Sequence, residues 1–90
     1  MTTAHVFISG FVQGIGFRQW IKRSAERTGV RGWVRNLRDG RVEAVLQGRI
    51  EDVKKIILIC RKGPFLSEIK RVDVEWEDSE EIFEFFETIV

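Results

Sequence analysis

Ninety residues accommodate one hydrophobic core and therefore one domain, residues 1–90, with seven Phe and three Trp to fill it. Fifteen basic side chains almost cancel fourteen acidic ones, which argues against a general polyanion binder. The single cysteine, Cys60, excludes an internal disulfide, and the opening residues lack the pattern of a secretion signal.

The first element in chain order is a short apolar strand, with Val6, Phe7 and Ile8 between His5 and Ser9. A glycine-bearing loop follows, Gly10 to Gly16. From Phe17 the spacing changes to Phe17, Trp20, Ile21, Ser24, Ala25 and Thr28, which is one face of a helix. Gly29 stands where such a helix ends. Val30 to Leu37 and Val42 to Gln47 read as two strands, joined by a turn at Asp39-Gly40. Glu51 and Asp52 suit the N-terminus of a second helix, with Val53, Ile56, Ile57 and Cys60 on its apolar face and Gly63-Pro64 at its end. Leu58 and Ile59 blur that pattern, and the end signals decide for helix. Ile69 to Trp76 alternates as a strand, and the tail from Ile82 to Val90 reads as a last strand of open register.

This order predicts an α+β fold, a ferredoxin-like βαββαβ sandwich with two helices on one face of an antiparallel sheet. The longest apolar run, Ile56 to Cys60, is too short to span a bilayer, so a cytoplasmic protein with no membrane partner is expected.

Charge is unevenly distributed. Arg18, Lys22, Arg23, Arg27, Arg31, Arg35, Arg38 and Arg41 face only Glu26 and Asp39 in the stretch 18–41, whereas the chain from Asp73 onward is acidic. The earlier stretch suits a small anion. Within it, Gly14 and Gly16 precede a helix N-terminus, where unpaired amides and the helix dipole attract negative charge. Arg18 falls in the first turn and can add a planar fork to the same oxygens. Taken alone, the loop reads equally as a tight structural turn or as an anion nest. It is neither a Walker A loop, lacking Gly-Lys-Ser/Thr, nor a dinucleotide fingerprint, since Gln19 occupies the third glycine position.

Gly10-Phe11-Val12-Gln13-Gly14-Ile15-Gly16-Phe17-Arg18, followed by Gly32-Trp33-Val34-Arg35-Asn36-Leu37-Arg38-Asp39-Gly40-Arg41-Val42-Glu43, closely resembles the two signatures of the acylphosphatase family. The Gly63-Pro64 pair fits the same likeness. Arg38 and Phe65 stand where proline is frequent in that family, and the tail matches only loosely.

The resemblance implies a metal-free, cofactor-free enzyme that hydrolyses small-molecule acyl phosphates. It implies that Gln13, Gly14, Ile15, Gly16, Phe17 and Arg18 cradle the phosphate, that Arg18 binds its oxygens and that Asn36 orients the attacking water. The Gln13 amide could touch the phosphate or close the loop on backbone. A monomer without nucleic-acid partners is expected, because the Lys/Arg-Gly-Phe motif of an RNA-binding sheet is missing. Related domains also occur inside larger proteins that handle carbamoyl phosphate; here a freestanding enzyme is the simpler expectation. The competing function is a non-catalytic ferredoxin-like module that binds a phosphometabolite.

Among other candidates, His5 reads as an exposed or packing residue placed before the first strand, and Cys60 as a small core residue. One His and one Cys do not make a zinc site, and no carboxylate spacing suggests a metal. Trp20, Trp33 and Trp76 read as core or half-buried residues, with Trp33 a candidate for shaping the site entrance. Glu75, Glu77, Asp78, Glu80 and Glu81 read as a solvated acidic stretch.

Overall fold

The computed structural model describes residues 1–14, 16–64 and 67–89. The elements run β1 (Thr2–Phe11), α1 (Phe17–Thr28), β2 (Arg31–Asn36), β3 (Val42–Gly48), α2 (Ile50–Lys62), β4 (Glu68–Glu77) and β5 (Phe86–Thr88). One sheet contains all five strands in the order β4-β1-β3-β2-β5.

Strand alternation sorts the side chains onto two faces. Ala4, Val6 and Ile8 of β1 lie beside Val42, Ala44 and Leu46 of β3, all with no exposed surface. Val34 of β2 extends the same row beside Ala44. Phe17, Ile21 and Ala25 of α1 and Val53, Ile56, Ile57 and Cys60 of α2 complete one core against this face. Burying each large apolar side chain contributes about 1.5–3 kcal/mol, so this two-layer core is the main source of stability. The second apolar segment is helical, as its end signals predict. Leu58, which blurred its periodicity, lies on the outer side and is exposed. Cys60 is fully buried, and burial pushes its thiol up to about 12.

Three expectations change. β1 begins at Thr2, because Thr2, Thr3 and Ala4 pair with Gly48, Gln47 and Leu46 of β3. His5 therefore lies inside a central strand. The sheet is antiparallel through β1–β4, but β5 pairs in parallel with β2, Gly32 opposite Phe86 and Val34 opposite Thr88. The last strand is also only Phe86–Thr88, so most of the segment 82–89 is not strand; Val90 lies outside the described residues, as does Phe65. Trp76 is half exposed, because β4 is an edge strand that leaves one flank of its side chains uncovered.

β5 is parallel because the chain leaves the sheet at the β4 edge and re-enters beyond β2, at the opposite edge. Residues 78–85 make that passage, and Gln47 holds them. Its side chain, 1% exposed, donates to the Glu81 carbonyl at 2.7 Å and to Thr3 Oγ1 at 3.0 Å. Its oxygen accepts the Phe83 N–H at 3.0 Å. Arg31 donates to the Phe83 carbonyl, and the Gly32 N–H donates to the Phe85 carbonyl at 3.1 Å.

The face away from the helices carries a polar and aromatic network. Glu43, nearly buried, accepts from Arg35 on one oxygen and meets His5 Nε2 at 2.6 Å on the other. The His5 ring stacks on Phe7 with centroids 4.7 Å apart and sets an edge against Trp33 at 6.2 Å. The Arg35 guanidinium lies 5.4 Å from the Trp33 ring centroid. Burial pushes the Glu43 carboxyl up, but hydrogen bonds and charge from His5 and Arg35 outweigh it and hold the group below its ordinary value of 4.5.

Two predictions follow from these contacts. Gln47→Leu keeps the bulk but leaves the Phe83 N–H and Glu81 carbonyl without their partner, so unfolding stability falls by about 2–3 kcal/mol. A urea titration should show a lower midpoint at unchanged slope. For Glu43 the sign follows from its lowered folded-state value. Its stabilisation is fully present above pH 4.5 and is lost as pH falls below that through the folded-state value. The melting-temperature gap between the parent and Glu43→Gln should therefore narrow on acidification through this window; a constant gap contradicts it.

Candidate active site

β1 and β2 both pair antiparallel with β3, so they run in the same direction and end on the same side of the sheet. The loop after β1 and the final residue of β2 consequently meet. Between them lies a cleft of about 200 Å³ lined by Val12, Gly14, Gly16, Phe17, Arg18, Gln19, Asn36 and Thr88. Arg18 is the one charged residue in that lining among the described residues.

Gly14 and Gly16 both have φ of 78°, a left-handed conformation that L side chains rarely adopt. A β-carbon at either position would meet open space within 4 Å, so the glycines serve the backbone turn and its open surface rather than tight packing. Gly16 is the N-cap of α1 and supplies no side-chain hydrogen bond to it. The Phe17, Arg18 and Gln19 amides precede the first intrahelical bond, in which the Trp20 N–H donates to the Gly16 carbonyl at 3.0 Å. The first turn of α1 contains no acidic residue, whereas α2 places Glu51 and Asp52 there. The positive end of α1 is thus left uncompensated by its own side chains.

Gln13 makes a different contribution. Its amide nitrogen donates to the Leu37 carbonyl at 2.8 Å and to the Arg41 carbonyl at 2.9 Å. Of the two roles open to it, it takes the structural one, tying the loop to the β2–β3 turn. Across that turn the Leu37 N–H donates to the Arg41 carbonyl, and Asp39 accepts from the Arg41 backbone and guanidinium.

Phe17 lines the cleft where α1 begins, and its side chain, 2% exposed, also belongs to the core. Arg18 is half-buried at the rim. Asn36 follows Gly32 and Val34 on the helix side of β2, and its Oδ1 is buried without a hydrogen-bond partner among the described residues. A buried amide oxygen is costly to leave unpaired, so it marks a position that a bound water or ligand donor can fill.

The structure therefore brings Gly14, Gly16, Phe17, Arg18 and Asn36 together and places Gln13 just behind them. Ile15 lies outside the described residues. Trp33 is on the opposite face, beside His5 and Arg35, and packs there instead of shaping the entrance. Three lining residues were not anticipated. Val12 is 1% exposed and forms the apolar floor. Gln19 follows Arg18 in the first turn, where helix geometry alone could have indicated it. Thr88 arrives on β5, whose parallel pairing no local pattern announces.

No helix among the described residues is long and apolar enough to cross a membrane. The acylphosphatase family model matches residues 4–88. An acylphosphatase of Chloroflexus aurantiacus is 50% identical over 78 residues, covering 87% of this chain and 85% of that protein. One from Pyrobaculum arsenaticum is 51% identical over 87 residues, covering 96% and 92%. The crystal structure of the Bacillus subtilis acylphosphatase superposes with a TM-score of 0.97 at 28% identity, over 100% of both chains. The uncompensated helix end, the glycine loop and the facing asparagine thus occur in a chain that belongs to the acylphosphatase family.

Proposed function

We infer that this protein hydrolyses acyl phosphates to a carboxylate and inorganic phosphate. The observation that carries the reading is the meeting of an uncompensated helix N-terminus and Arg18 with the unpartnered Asn36 Oδ1 in one cleft.

The Gly14–Arg18 amides and the Arg18 guanidinium hold the phosphoryl oxygens. In the transition state the same donors stabilise the charge that spreads over them. Asn36 Oδ1 accepts a hydrogen bond from water and aims it at phosphorus, opposite the leaving carboxylate. The water oxygen bonds to phosphorus as the phosphorus–acyl oxygen bond breaks. The bonding pair leaves with the carboxylate, and the water proton passes to a phosphate oxygen. No carboxylate lines the cleft among the described residues, so nothing there repels a multiply charged substrate. A carboxylate is a good leaving group, and positioning with charge stabilisation suffices without a metal. The reading is completed by a cytoplasmic monomer that acts on a small molecule and has neither nucleic-acid nor membrane partners.

Hydrolysis of benzoyl phosphate in excess chelator tests this. Activity survives chelation, and Arg18→Ala lowers kcat/KM by about 10²–10³-fold, the scale of one lost transition-state donor. Asn36→Ala lowers kcat while competitive inhibition by inorganic phosphate is kept. A folded parent protein without turnover would leave the phosphometabolite-binding module in its place. Gln13→Ala should cost about 1–2 kcal/mol of stability through its two lost hydrogen bonds and raise KM, measured by urea unfolding and initial rates.

A further inference from the structure

We propose that His5, Glu75 and Glu77 form a binding site for a zinc ion on the sheet face opposite the helices, separate from the hydrolytic cleft.

The register of β1 against β4 creates the cluster. His5 stands opposite Glu75, and Glu77 stands opposite Thr3, two residues along the same face. The three donor atoms lie within 4.8 Å of one another, and His5 Nδ1 is 3.0 Å from Glu77 Oε1. With zinc bonds of about 2.0–2.2 Å, neighbouring tetrahedral ligands are roughly 3.3 Å apart, so small side-chain adjustments complete the shell.

The imidazole is already oriented for this role. Its other nitrogen, Nε2, meets Glu43 Oε2 at 2.6 Å, and Glu43 has 7% of its side chain exposed, with Arg35 on its second oxygen. A carboxylate on the distal ring nitrogen fixes the tautomer and raises the basicity of the nitrogen that faces the metal. Stacking on Phe7 restrains the ring plane. Zinc binding then displaces the Nδ1 proton that Glu77 Oε1 accepts, while Nε2–H stays on Glu43 Oε2.

Charge and access agree. A neutral imidazole and two carboxylates supply two negative charges to a divalent cation, and a mixed nitrogen and oxygen donor set suits zinc. Three protein ligands leave a fourth position for water. His5 keeps 24% and Glu77 41% of their side chains exposed, so an ion enters without unfolding. Cys60, the chain's sole thiol, is buried in the core and offers no competing ligand. The ion would fasten edge strand β4 to central strand β1.

Calorimetric titration of chelator-stripped protein with zinc chloride at neutral pH tests the site. We expect one saturable micromolar event and a higher melting temperature with zinc. His5→Gln and the double variant Glu75→Gln/Glu77→Gln should each weaken binding by about ten-fold or more and abolish the thermal shift, and Glu43→Gln should weaken it by about ten-fold. Circular dichroism establishes that each variant is folded. Should His5→Gln fail to fold, the double variant at exposed positions carries the test. Hydrolysis in chelator should be unchanged in His5→Gln, separating this site from the catalytic reading. Absence of saturation below millimolar zinc, or equal affinity in the double variant, would overturn the proposal and leave His5 as an ion-pair clasp between Glu43 and Glu77.

Discussion

The antiparallel pairing of β3 with both β1 and β2 is the constraint on which the site depends. Because β3 separates them, β1 and β2 point the same way, and their final residues emerge at one end of the sheet. The loop entering α1 and the side chain of Asn36 come together there although the two strands are not paired with each other. Gln13 turns that coincidence of ends into a fixed geometry, since its amide spans from the loop to two carbonyls of the β2–β3 turn. A slip of one residue in β2 against β3 would turn Asn36 and Val34 toward the open face. Core and cleft are therefore specified by the same register.

The two helices show how differently one fold can treat similar ends. Each helix N-terminus carries about half a positive charge from aligned peptides. α2 satisfies this locally with Glu51 and Asp52 in its first turn. α1 has no acid in its first turn, a glycine at its cap and Arg18 in place of a neutralising group. Such an arrangement costs stability in the empty protein, because like charges crowd the helix end. It becomes favourable when an anion occupies the cleft. On the proposed reading, that local instability is binding energy held in reserve, and its location coincides with the unpartnered Asn36 oxygen.

Much of this was legible in the residues. Helical spacing from Phe17, the end signal at Gly29, the Asp39-Gly40 turn and the alternation of β4 all describe local chemistry, and local chemistry decides those elements. The loop after β1 and Asn36 were singled out by local chemistry and by their likeness to known signatures, and Gly14, Gly16, Phe17, Arg18 and Asn36 do line one cleft. The features that escaped are long-range ones. Gln47 resembles any polar strand residue until residues 78–85 are seen to cross above it. Thr88 joins the cleft only because β5 is parallel to β2, and a three-residue strand has no readable period. His5 looked like a residue outside the sheet because the alternating apolar pattern begins after it, whereas pairing with β3 starts at Thr2.

Alternation along the strands also explains how one small sheet sustains two unrelated surfaces. Val6 and Ile8 face the helices, while His5 and Phe7, their neighbours in sequence, face outward. The inward set is apolar and close-packed, so its members tolerate little change. The outward set has no second layer over His5 and Phe7 and must satisfy itself, through Glu43 between Arg35 and His5 and through cations over Trp33 and Phe7. Lys70, Arg71, Asp73, Glu75 and Glu77 give the edge strand β4 a charged rim, which discourages a second chain from adding to it. That protection has a consequence. Carboxylates that repel a foreign strand also gather negative potential beside His5, on a face where the candidate cleft makes no demand.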